Sequence, residues 1–375
     1  MRSSLGGLLV TTLVSSSGHA LKLIAQVNED SLLKSRHTLH SGCTGADHID
    51  ASSFKVLLDA KQTAARAKFH ELIADRDPRE AFITSRHRTH LSGRSEHFDL
   101  PVPRFMRMFD WYMLGDNVRS VSKANPKTVL CRANLLRWCW DAVKGLPALE
   151  EGETRVLAIG QEDTNMSENV EAMKIFLGQN DLHKRLFSKI LYEAKDIEME
   201  GIGTFPIGLN DAYITMNGPS LVMQAIREAD LQKKDKVVFA AWGKIWGTLD
   251  HKLKSRIAAE KFTNSSCFIN RSSVEMKDYW RTLARHRFLL APSGKGVQSP
   301  KVVEALLVLT IPIVDRKPAW EDMKNAGWPI AMVDRWDEIT PQKLVEWHKE
   351  LSPRLEAFRL NLTTWCAFHY IVGTI

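Results

Sequence analysis

The stretch RFLLAPSGKGVQSPKVVEALLVLTIPIVD, residues 287–315, decides the fold. Its opening run, Arg287–Ala291, is short and mostly apolar and leads into Pro292-Ser293-Gly294-Lys295-Gly296. Ser299 suits an N-cap and Pro300 falls at N1, where a missing N–H costs nothing, so a helix is predicted over 299–309. Ile311–Val314 is a second apolar run. Two buried strands joined by a helix read as a βαβ unit of a parallel sheet. Gly294 and Gly296 let the backbone come close to a ligand, and the free N–H groups at the helix start favour an anion beside Lys295 and Lys301. The design suits a phosphate or diphosphate. Glu304 lies further along this helix among Val302, Val303, Ala305, Leu306 and Leu307 and therefore needs a partner. A sugar or ribose diol is one candidate, and a structural Arg or Lys of the same domain is the other.

The same pattern extends outward. Strands are predicted at 155–159, 236–241, 287–291, 311–314 and 329–333. Helices are predicted near 168–178, 183–193, 219–229, 250–261, 274–285, 299–309, 318–326 and 341–350. That is an α/β chain. Upstream, 53–75 and 130–143 look helical, and 76–128 reads as loop-rich. The glycines and prolines of 202–235 mark a joint between two α/β halves, where ligands commonly bind. The resulting division is a leader at 1–20, a helical and irregular region at 21–150, one α/β domain at 151–215 and a second at 216–375. No Walker A string and no G-x-G-x-x-G at a first strand occurs, so nothing supports a P-loop, nicotinamide or flavin enzyme.

Residues 279–350 resemble the C-terminal half of exostosin-like (family 47 type) glycosyltransferases. The resemblance rests on RFLLAPSG, on the G-V-x-x-x-[RK]-x-x-E-A-L pattern at Gly296–Leu306, on IPIVD, and on Ala331–Ile339 before a helix. A weaker match covers Arg155–Asp163 and Phe205–Leu209. The resemblance implies a GT-B-like fold, in which two Rossmann-like domains face each other across a cleft. It also implies transfer of a sugar from a nucleotide-diphosphate donor to a hydroxyl of a glycan or glycoprotein, with inversion at the anomeric carbon. Carried over by position, Glu304 would grip donor hydroxyls, while Ser293, Gly294, Lys295, Gly296 and Ser299 would line the diphosphate. Lys301 stands where the family commonly has Arg, Leu309 where a Gly is usual, and Ser299-Pro300 where Cys-His is frequent. Lys244, Lys252 and Arg256 follow a predicted strand and are further candidate cations. Glu162 and Asp163, just past another strand end, are candidate general bases from the facing domain. A helix N-terminus and lysines can stabilise a leaving diphosphate, so the sequence calls for no cofactor and requires no metal.

The remaining signals concern address and rivals. Arg2, the apolar run Leu5–Val14 and the small residues around Ala20 read as a secretory signal, with the mature chain starting near Leu21. No segment is apolar for long enough to span a bilayer. N-x-S/T sequons at Asn165, Asn264, Asn270 and Asn361 suit the secretory pathway, whether Golgi, ER lumen or secreted. The five cysteines are an odd number. Cys131 and Cys139 fall in a helical-looking stretch, about 12 Å apart along the axis, too far to pair unless the helix breaks. His37, His40, Cys43 and His48 match no standard zinc spacing. The net charge of +7 comes mostly from residues 1–150, with 21 basic and 15 acidic side chains. Two rivals remain: a catalytically silent sugar- or nucleotide-binding member of the fold, and a nucleic-acid-binding protein using the basic N-terminal region. The second lacks any RRM, KH, zinc-finger or helix-turn-helix signature, so no nucleic-acid partner is expected.

Overall fold

The structure, a computed structural model, describes residues 49, 51–56, 58–85, 101–115, 119–178, 181–242 and 253–373. The leader at 1–20, the His37–His48 cluster, Lys244 and Lys252 lie outside the described residues. The strands in chain order are β1 (Thr84–Ser85), β2 (Trp111–Met113), β3 (Arg119–Val121), β4 (Thr128–Arg132), β5 (Val156–Gly160), β6 (Lys189–Tyr192), β7 (Ile202–Thr204) and β8 (Leu209–Asn210). They continue with β9 (Lys236–Ala240), β10 (Ile269–Arg271), β11 (His286–Leu290), β12 (Ile311–Asp315) and β13 (Ala331–Val333).

Two Rossmann-like sheets result. The first has the order β3-β2-β4-β5-β6-β7 and is parallel except for the β2–β3 pair. The second has the order β10-β9-β11-β12-β13 and is parallel throughout. Within the second sheet, chain order reverses between β9 and β11. Ligands of open α/β sheets bind outside the carboxyl ends of the strands at such a switch point. The central strands are buried on both faces, as TVLCR in β4, VLAIG in β5 and HRFLL in β11 require. Along β4 the side chains alternate: Leu130 joins a core that runs through Phe205 to Val238, Phe288 and Ile313 of the second sheet. Val129 and Cys131 instead face Trp140 and Phe176 on the other side.

Several expectations are corrected. The first sheet starts at Trp111 and not at residue 151, because β3 pairs with β2, β2 with β4, and β4 with β5. The helix over 130–143 is in fact β4, a short turn at Ala133–Leu135 and a helix at Leu136–Val143. That break brings Cys131 and Cys139 to a Cα separation of 6.3 Å, and they form a disulfide. Cys267 is also disulfide-bonded, and Cys366 is a free thiol. The helix read at 183–193 stops at Leu186, and KILY follows as β6. The joint at 202–235 is structured: it holds β7, β8 and helices at Asp211–Asn217 and Pro219–Glu228.

The helix Pro300–Leu307 ends with Leu309 at φ 61°, while Leu309 N–H donates to Leu306 O and Thr310 N–H to Ala305 O. This is the Schellman pattern, which explains why a glycine suits position 309. The chain then returns to its first half: the Lys189 ammonium donates to Ile371 O, and the rings of Phe109 and Phe368 meet edge-on at 5.2 Å. No helix among the described residues is long and apolar enough to cross a membrane.

Candidate functional site

The site lies where the carboxyl ends of β5 and β11 meet. β5 ends at Gly160, where an added Cβ would stand 2.5 Å from the Glu193 carboxylate. Only glycine fits that close approach, and Gln161 follows at φ 65°. Glu162 and Asp163 come next, and their roles separate. Glu162 forms an ion pair with Arg132 and accepts a hydrogen bond from Asn134, so it is held within its own half. Asp163 instead faces the second half, with its Cα 3.4 Å from where a Cβ on Gly296 would be.

From the other side, β11 runs into Ala291–Val297. Here the loop is built by its own polar groups: Ser293 N–H donates to Asp315, Ser293 Oγ to Val297 O, and Gly294 N–H to Gly296 O. Ser299 caps the helix by accepting from Lys301 N–H. The Ser293 and Ser299 hydroxyls are thus engaged in shaping the loop. Within the described residues the amides of Lys295 and Gly296 have no acceptor, and the Lys295 side chain is exposed. Two side chains tie the loop to the first half. Asn165 donates to Lys295 O and accepts from Val297 N–H. Gln298, only 5% exposed, accepts from Ile207 N–H and donates to Phe205 O and Glu193 O. The amide of the Asn165 sequon is therefore a structural donor.

Arg256, on the helix Lys254–Thr263, reaches this loop. An added Cβ on Gly294 would stand 3.5 Å from its guanidinium, whose buried Nε has no partner among the described residues. Burial holds its pKa below the ordinary value. A half-buried guanidinium with an unpartnered Nε at a glycine loop is suited to an anion.

Beside it, at the β9–β11 switch point, is a pocket of about 310 Å³ lined by Trp242, Tyr213, Tyr279, Val274, Lys301 and Glu304. This is within the lower part of the ligand-pocket range. Glu304 is 5% exposed; its Oε2 accepts from the Tyr279 hydroxyl at 2.7 Å, and its Oε1 carries no hydrogen bond among the described residues. Lys301 lies over the Tyr279 ring at 4.4 Å, and its ammonium donates to the phenol oxygen at 3.4 Å. Burial lowers the Lys301 pKa against the pull of Glu304. The Tyr213 phenol is pushed up, first by burial and then by the charges of Glu304 and Asp163, with Arg256 acting in the opposite direction. Tyr213 thus feels charges from both halves. Glu304 has found a hydrogen-bond partner in Tyr279, neither a structural Arg nor a structural Lys.

Sequence reasoning missed Tyr213, Trp242 and Tyr279 as site residues. Trp242 lies two residues past the end of β9, and the strand-end rule would have found it. Nothing in the local pattern marks Tyr213 or Tyr279, whose helices are brought in by the tertiary fold. Trp242 is fixed by donating to Glu260 at 2.6 Å and by the Arg271 guanidinium 4.7 Å from its ring centroid.

No family model and no curated protein sequence matches the chain. Among solved structures, a crystal structure described as that of the glycotransferase of kitacinnamycin is similar over 67% of this chain and 76% of that one. It shares 13% sequence identity, with a TM-score of 0.31.

Proposed function

We propose that the chain is a glycosyltransferase of the exostosin-like type, moving a sugar from a nucleoside-diphosphate donor to a hydroxyl of a glycan or glycoprotein. The observation that carries this reading is the placing together, at a Rossmann switch point, of a half-buried guanidinium with an unpartnered Nε against a glycine loop and a pocket carboxylate whose Oε1 has no hydrogen bond among the described residues. In this reading Arg256, Lys301 and the amides of Lys295 and Gly296 hold the diphosphate. Their positive charge stabilises the negative charge that develops as the sugar–phosphate bond breaks. Glu304 accepts from a hydroxyl of the nucleotide, and Trp242 offers an aromatic face. Asp163, presented by the first half, removes the acceptor proton as the oxygen attacks the anomeric carbon from the side opposite the diphosphate, which inverts that carbon. Ser293, Gly294 and Ser299 shape the loop. Glu162 supports the first half through Arg132 and is not the base. The Cys131–Cys139 disulfide and the oxidised Cys267 support placement in the oxidising secretory pathway.

The test is a thermal-shift panel of nucleotide sugars on the purified chain, followed by assays for donor hydrolysis. At least one UDP- or GDP-sugar is expected to raise the melting temperature, and Glu304→Ala and Arg256→Ala each to abolish that rise. No shift with any donor would sink the reading. A shift without turnover, acceptors supplied, would mark the chain as a silent member of the fold.

A further inference from the structure

The Tyr279 hydroxyl lies between two charged side chains. It accepts from the Lys301 ammonium at 3.4 Å and donates to Glu304 Oε2 at 2.7 Å. The Lys301 ammonium also rests on the face of its ring, 4.4 Å from the centroid, so the ring is held as well as the hydroxyl. Burial and the Glu304 charge push the Tyr279 phenol well above its ordinary range, so it stays a donor at any working pH. A carboxylate with both oxygens open accepts from two adjacent hydroxyls at once, as a diol offers them. On Glu304, Oε2 already accepts from a fixed, permanently protonated donor that fills one of its acceptor directions, whereas Oε1 has no hydrogen bond among the described residues.

We infer that Tyr279 is a positioning residue that makes Glu304 read one hydroxyl of the nucleotide ribose and not the pair, leaving Oε1 as the single acceptor facing the pocket. This inference rests on the nucleotide-donor reading. It assigns to Tyr279 the choice between the 2′ and 3′ hydroxyls, a choice that Glu304 alone does not make. Phenylalanine at 279 keeps the ring under Lys301 and releases Oε2, so both carboxylate oxygens become available to the diol.

Isothermal titration of the full chain with UDP and GDP, and with the 2′-deoxy and 3′-deoxy analogue of each, tests this. For the nucleotide that binds, one analogue is expected to lose about tenfold or more in affinity, the magnitude of one hydrogen bond to a charged acceptor. The other is expected to lose less than about threefold, since its missing hydroxyl made no such bond. In Tyr279→Phe the two analogues should come within about threefold of each other. Equal affinity of the two analogues for the parent chain would overturn the inference without any variant, and so would an asymmetry that survives Tyr279→Phe in a folded protein. Binding of neither UDP nor GDP would overturn the donor reading itself and this inference with it. The two failures are therefore distinguishable.

Discussion

Leu309 offers a test in which two physical effects are separable by choice of side chain. It is fully buried and sits at φ 61° at the end of the helix Pro300–Leu307. A left-handed conformation costs an L-residue about 1–2 kcal/mol. Burying a leucine more than offsets this, since Leu→Ala in a core costs about 2.7–5 kcal/mol. Leu309→Ala deletes the packing and keeps the backbone strain, for a loss of about 3 kcal/mol. Leu309→Gly deletes the same packing and releases the strain, while adding about 0.5–1 kcal/mol of chain entropy to the unfolded state. The glycine variant is therefore predicted to be more stable than the alanine variant by about 0.5–1 kcal/mol, with both well below the parent. At an ordinary helix or strand position this order is reversed. Chemical denaturation of the three proteins at matched m-values measures it. An alanine variant as stable as the glycine variant would refute the strain argument. Nucleotide affinity should not follow stability in this series, because Leu309 does not line the pocket.

Three further outcomes are expected. His286 donates from Nδ1 to Thr282 O and accepts at Nε2 from Asn270, an arrangement of the neutral ring; burial lowers His286 and His348 to about 4. Their folded values lie below the unfolded value near 6.5, so the stability they contribute is complete above pH 6.5 and is lost as pH falls toward 4. The loss is on the order of 3 kcal/mol each, and denaturation midpoints at pH 7 and 4.5 in the parent and in a His348→Gln variant report the drop. Glu162→Gln should lower the melting temperature through the loss of about 2 kcal/mol at Arg132, whereas Asp163→Asn should lower turnover about 100-fold or more without a comparable stability loss. If turnover instead falls with Glu162→Gln and survives Asp163→Asn, the assignment of the base is reversed. Cys139→Ser should cost about 2.5 kcal/mol, the loop entropy of so short a ring, and reducing agent should then have little further effect on that half.

The second sheet was legible because its signals were local. β9, β11 and β12 are five-residue strands built on apolar runs of three or four residues and flanked by helices with recognisable starts, such as Ser299-Pro300 and Thr340-Pro341. The first sheet was legible only in β5. β4 merges without punctuation into Ala133–Val143, so its apolar pattern continues smoothly into that of the helix. β7, with Gly203 at its centre, and the three-residue β2 and β3 are too short for any period to show. Their strand character comes from neighbours in the sheet. The site divides in the same way. Glu304, Lys301 and the glycine loop share one contiguous motif and could be read from it. Tyr213, Trp242 and Tyr279 meet Glu304 only because separate segments converge at the switch point. The leucine at 309, a departure from the pattern that this stretch resembles, is physically a packing choice at a helix end.

The Gln298 side chain carries a mechanical consequence. Its three buried hydrogen bonds and those of Asn165 fasten the loop 293–298 to the first half more firmly than surface contact would. Any opening between the halves must leave that loop behind or break several buried polar bonds together. A hinge is therefore disfavoured at the loop itself, and the glycine loop keeps its place against Asp163 of the first half.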